Sequence, residues 1–195
     1  MSQNQNEVEE IIKEIETNIL KQDIPYKLSK LTNMPYPTYD DFLVDYRDKK
    51  VTIELKKYKS DIMEQFGTKA DNKVHSIAFV GLLIVAIINI ILAFIYKEFI
   101  FLWGVLAVIL GMLSTSPSNP YGRKMSGLCG IAFILSFFYL TWEWRIIIGS
   151  MAISQILSMT ARDQLKKVLI DRSLASEAIF CYLFRYKIIY IFKKH

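Results

Sequence analysis

The residues able to do chemistry are few and far apart. The only two histidines, His75 and His195, fall at the edge of an apolar run and at the last position, and neither has a His or Cys at metal-ligand spacing. Cys129 and Cys181 read as two separate thiols behaving as small hydrophobes, with no disulfide framework. No G-x-S-x-G elbow, G-x-x-x-x-G-K-[ST] phosphate loop or G-x-G-x-x-G fingerprint occurs. A Ser, His and acid triad would have to draw on His75 or His195, and Glu98 and Glu143 sit beside Lys97 and Arg145, as ordinary paired charges do. The sequence therefore predicts a protein that is not an enzyme and has no metal or cofactor.

The polar residues that ask for an explanation are those set in apolar surroundings. Asn89 lies in the middle of one hydrophobic run; Ser150, Ser154 and Ser158 recur every fourth residue in another, with Gln155 beside them. That spacing puts the serines on one helix face. Such groups are satisfied by interhelical hydrogen bonds, worth about 0.6 to 2 kcal/mol each in a membrane, or they line a hydrated path. Proton relays and pumps carry ionisable groups at mid-span, and these runs have none there. A second candidate is Arg123 with Lys124, following the Ser116, Pro117, Ser118, Asn119, Pro120, Tyr121, Gly122 turn. The pair is placed to meet a lipid headgroup or a partner, and equally to fix topology by positive charge.

The elements that must position these residues lie in 74–161, four apolar runs in close succession. The first, 74–96, carries no charge and is long enough, at about 1.5 Å per residue, to cross roughly 30 Å of hydrocarbon. The others, about 99–116, 125–142 and 145–161, are nearer the short end of the spanning range. Mean hydropathy of +0.25 conceals this, because it averages a polar first third with an apolar middle. Small residues recur at helical spacing in three runs, as Gly104, Ala107, Gly111 and Ser114, as Gly127 and Gly130, and as the serine stripe, marking packing seams. The fold class expected is an all-α membrane protein: a four-helix antiparallel transmembrane bundle with small, mainly helical cytosolic N- and C-terminal segments, 1–73 and 162–195.

Loop charge orients it. Lys56, Lys57, Lys59, Lys69 and Lys73 precede the first run, Arg123 and Lys124 lie in the middle connection, and Arg162, Lys166 and Lys167 follow the last, against Lys97 and Arg145 in the other loops. Both termini are expected in the cytosol. Tyr96, Trp142 and Trp144 fall at run ends, where amphipathic rings favour the interface. The first residues, polar and acidic, do not resemble a signal peptide, and the net charge of +5 comes from these flanks, without a basic face of the kind that binds nucleic acid.

In the flanks, 6–22 has apolar residues at helical spacing and 23–37 is a Pro-broken linker. Thr38 is placed to cap a helix over 38–66, with a break near Asp48 as an option, although the alternation of Val51, Ile53 and Leu55 also fits a short strand; the spacing of Ile62, Met63 and Phe66 favours the helix. The fourth membrane helix runs on past Ala161. A short helix over 175–185 follows, with Ser173 or Ser176 as its cap, then a strand over 186–192. The tail is expected either to fold with the N-terminal segment or to present an edge strand to a partner. A small four-pass build with short loops is similar to that of membrane components of bacterial phage-defence systems and of bacteriocin-immunity proteins. This implies an inner-membrane protein contacting lipid, a homo-oligomer with a cytosolic protein partner, acting as an antiviral effector or sensor that perturbs the membrane, or as a passive anchor.

Overall fold

Over residues 38–66 the chain forms a helix, a strand and a second helix instead of the single helix that the spacing favours. The computed structural model describes residues 3–22, 27–31, 34–56, 60–114 and 122–193. It is mostly helical, with α1 (Gln3–Lys21), α2 (Tyr39–Arg47), β1 (Val51–Leu55), α3 (Ser60–Phe66), α4 (Lys69–Tyr96), α5 (Leu102–Ser114), α6 (Gly122–Tyr139), α7 (Trp142–Ala175), α8 (Glu177–Arg185) and β2 (Ile189–Lys193). Two compact units result. One joins Met1–Asn72 to Gln164–His195; the other is Lys73–Asp163.

In the first unit, Thr38 caps α2 by accepting from the Asp41 N–H. The helix stops in a Schellman turn: Lys50 N–H donates to Asp45 O at 2.9 Å and Lys49 N–H to Tyr46 O at 3.0 Å, with Lys49 left-handed at φ 60°. This turn is why β1 replaces the expected helix. It is repeated at the end of α8, where Lys187 stands at φ 55° and Ile188 N–H donates to Leu183 O at 2.9 Å. Each turn launches one strand. β1 and β2 then pair antiparallel, with Val51 opposite Lys193, Ile53 opposite Ile191 and Leu55 opposite Ile189, so the tail completes a sheet begun near the other end of the chain.

Behind the sheet lies an ordinary aqueous-type core. Phe42 and Phe180 pack with tilted rings 4.6 Å between centres, and Phe66, Met63, Leu165, Leu169, Ile179 and Leu183 are closed to solvent; each such side chain contributes about 1.5 to 3 kcal/mol. Polar residues anchor the elements. Ser176 caps α8 and donates to Glu16 Oε1 at 2.6 Å, while Glu177 accepts from Leu28 N–H at 2.7 Å and Tyr39 OH bonds Ser173 O. Thr68 and Asp71 form a reciprocal capping box at the start of α4, with Asp71 N–H to Thr68 Oγ1 at 3.2 Å and Thr68 N–H to Asp71 Oδ2 at 3.1 Å. Asp71 also accepts from Gln164 at 2.7 Å and faces the buried Arg172 at 3.9 Å.

The second unit has the opposite polarity. Within it α4 is the one described helix long and apolar enough to cross a membrane, and 17% of its most apolar stretch is buried. Ile84, Leu83, Ile91 and Phe94 are exposed, whereas Asn89, Ser136, Ser150, Ser154 and Gln155 are buried. α5 and the apolar part of α6 are shorter apolar helices. α7 continues from the apolar unit into the first without a break, as the sequence leads one to expect. Gly127 and Gly130, expected in a packing seam, face open space. The helix there packs instead through Phe133, whose ring lies against Gly149.

Candidate functional site

Three helices of the second unit meet along the polar residues that the sequence singles out. On α4, Asn89 donates through Nδ2 to Val85 O and to Ser150 Oγ of α7, both at 2.8 Å. Ser150 in turn donates to Ile146 O at 2.8 Å. The Asn89 carbonyl oxygen lies against α5 at Gly104, where a Cβ would stand 1.7 Å from it. It has no conventional hydrogen bond; its neighbour is the glycine backbone, the geometry in which a weak Cα–H···O contact forms. Only glycine leaves room for that approach.

Further along α7 the pattern repeats with partners exchanged. Gln155 Nε2 donates to Ser114 Oγ of α5 at 2.8 Å, and Ser114 donates to Gly111 O at 2.8 Å. Ser154 Oγ donates to Met151 O at 2.8 Å and fills the space over Gly111, where a Cβ would lie 1.9 Å away. Gln155 Oε1 and Ser158 Oγ are buried without a hydrogen bond. Asn89, Ser150, Ser154 and Gln155 are thus gathered in one seam, with Ser158 beyond them on the same helix. Ser114 and Gly104 belong to it as well. The sequence marks both as small residues, but their roles as amide partners come from α5 facing α4 and α7, which spacing within one helix does not reveal.

Beside the Asn89 and Ser150 pair an apolar groove of about 420 Å³ runs between α4, α6 and α7, with Trp142 and Arg145 at one end. Trp142 also packs on Tyr96 and Phe101, 4.9 and 5.2 Å between ring centres. His75 is buried with its ring on Phe79, 5.2 Å away. Arg123 lies in the first turn of α6 with its side chain outside the described residues, Lys124 is exposed, and the turn before them at 115–121 is likewise outside.

In the first unit, burial pushes the Cys181 thiol up to about 12, helped by nearby Glu177, which leaves it protonated and unreactive at neutral pH. Tyr39 and Tyr182 are raised by burial too. Among the described residues no group of three His, Cys, Asp or Glu side chains is arranged to hold a metal ion. A pocket of about 570 Å³ in the first unit is bordered by Glu14, Asn18, Lys21, Glu64, Gln65 and Tyr182, a mixed-charge surface without a nucleophile beside a base. No family model matches the chain, and no curated protein or solved structure matches it either.

Proposed function

We propose that the apolar unit is a four-span bundle in a bacterial inner membrane, formed by α4, α5, α6 and the first part of α7, with both ends of the chain in the cytosol. The protein would be non-enzymatic, coupling a cytosolic partner or signal received by the first unit to the membrane, as an oligomerising effector or sensor of the defence type does. The observation that carries this reading is the inverted polarity of the unit. Asn89, Ser136, Ser150, Ser154 and Gln155 are inside, whereas most of its isoleucines, leucines and phenylalanines, apart from residues such as Leu82, Phe101 and Ile147, are open to the surroundings, with α4 17% buried over its most apolar stretch. A helix in the core of a water-soluble domain would be mostly covered, and exposed apolar surface on this scale marks contact with a membrane or a protein. Loop charge supports the orientation: in the proposed bundle the outer connections would carry Lys97 and Arg145, against Lys124, Arg162 and Lys166 flanking the inner ends of the spans.

Membrane crossing and orientation are tested together by impermeant maleimide labelling of intact cells. Glu98→Cys should label in intact cells, and Lys124→Cys only after permeabilisation, once the label taken by native Cys129 and Cys181 is subtracted. Labelling of both in intact cells, or release of the protein by alkaline carbonate, would remove the reading. Potassium efflux on expression tests the effector role.

A second reading, a passive anchor or immunity protein that recruits or blocks a partner, is favoured by one feature. The seam residues direct their N–H and O–H groups to one another and to backbone carbonyls, as packing requires and a hydrated path does not. An unchanged potassium content on expression, with a partner retained in gentle detergent, supports the anchor.

A further inference from the structure

The groove beside Asn89 and Ser150 combines a cavity with a charge. Its walls are apolar, from Val85, Ile88, Phe133, Phe137, Ile146 and Ile153, and its volume of about 420 Å³ is that of a small-molecule site. From Arg145 to Ile153 it follows α7 for about 12 Å at the helical rise, most of the roughly 15 Å depth of one hydrocarbon leaflet. The floor asks nothing of an occupant, because the Asn89 amide N–H and the Ser150 hydroxyl are already bonded within the protein.

The end of the groove does make a demand. Arg145 donates through Nε to Leu140 O at 2.9 Å, and its guanidinium carbon stands 5.7 Å from the centre of the Phe137 ring. Those two contacts hold the head in place and leave both Nη groups without an acceptor from the described residues. Beside it the half-exposed Trp142 indole marks the level at which tails give way to headgroups. A paired Nη fork at that level matches a phosphate, which accepts two parallel hydrogen bonds. An apolar helix from a second copy would fill the walls but cover the guanidinium with nothing to receive its hydrogen bonds, which is costly.

We propose that the groove holds one acyl chain of an anionic phospholipid, with the lipid phosphate on Arg145. The site rests on the membrane reading given above. A net negative headgroup is preferred because a zwitterionic lipid carries its own ammonium, which competes for the phosphate.

The test uses the full chain with Trp103→Phe and Trp144→Phe, so that Trp142 is the sole tryptophan, reconstituted into phosphatidylcholine vesicles. Traces of brominated phosphatidylglycerol or brominated phosphatidylcholine are added at equal mole fraction, and quenching of Trp142 is read. The anionic lipid should quench several-fold more strongly, and Arg145→Gln should bring the two lipids level while the protein still floats with the vesicles and keeps its circular dichroism. Equal quenching in the parent, a preference undiminished by Arg145→Gln, or quenching that falls as protein is crowded in the bilayer, which would put a second copy in the groove, each overturns the lipid site alone. Failure to float with vesicles overturns the membrane reading and the site together.

Discussion

Gly104 and Asn89 illustrate how a polar side chain is housed in an apolar unit, through a glycine that supplies the space and a serine that supplies the bond. Gly104→Ala would set a methyl group 1.7 Å from the Asn89 oxygen. Its expected cost is about 1 to 3 kcal/mol, the range for overpacking a filled interior, read as a lower unfolding temperature in detergent. The hydrogen bond itself is worth less. A double-mutant cycle of Asn89→Ala with Ser150→Ala should give a coupling of about 0.6 kcal/mol, the membrane average. A pH effect belongs at this scale too. Cys181 is raised from an ordinary 9.0 to about 12 by burial, so the folded state holds its proton where the unfolded state releases it. Its contribution is fully present below about pH 9 and is lost as pH rises from 9 to 12. Tyr39 and Tyr182 act in the same direction. Urea denaturation should therefore show stability falling through that alkaline window, and more gently in Cys181→Ala. The seam residues could be picked out because amides are rare in apolar runs. Their pairing could not, since Gln155 meets a serine on another helix and nothing local selects Ser114.

At the level of elements, the sequence misleads at the end of α2, whereas the end of α8 and the strand after it follow the expected helix over 175–185 and strand over 186–192. A helix stop is ordinarily announced by Gly at the left-handed position, and both Schellman turns of the first unit use lysine, Lys49 and Lys187. With no glycine at Lys49, the sequence offers a break near Asp48 only as an option, the apolar positions on either side of it join into one helical stripe, and the alternation of Val51, Ile53 and Leu55 is outvoted. What decides for the strand is β2, a partner remote in sequence. Glycine at these positions removes the strain of a side chain at positive φ. Lys49→Gly and Lys187→Gly should each stabilise the fold by about 0.5 to 1 kcal/mol, seen as a higher thermal midpoint. The cap at Thr38 was readable and that of α8 was narrowed to Ser173 or Ser176, because a hydroxyl just before an acidic first turn is a local signal. Gly127 and Gly130 share a helix face, as Gly104 and Gly111 do, yet meet nothing, since spacing names a helix face without naming what lies across from it.

For the whole molecule, the division into an apolar unit and a first unit built from both ends of the chain follows from hydropathy, and the union of the two ends was one of two outcomes open to the tail. What local pattern could not supply is the buried cluster that fastens this unit, in which Asp71 serves the Thr68 capping box, Gln164 and Arg172 at once. Asp71→Ala removes a cap, at about 1 kcal/mol, and leaves Arg172 buried without its counter-ion, which costs about 3 kcal/mol or more. Loss of the native first unit at a clearly lower urea concentration is expected, whereas Asp48→Ala, on an exposed pair with Lys50, should change it by less than about 1 kcal/mol. The antiparallel pairing of β1 with β2 also sets a clock. At a synthesis rate of about 5 to 20 residues per second, β1 is made roughly 7 to 27 seconds before its partner strand. Throughout that interval the nascent chain shows an unmatched strand edge, open to a chaperone or to the same strand of a neighbour on the polysome, and every copy must pass through it.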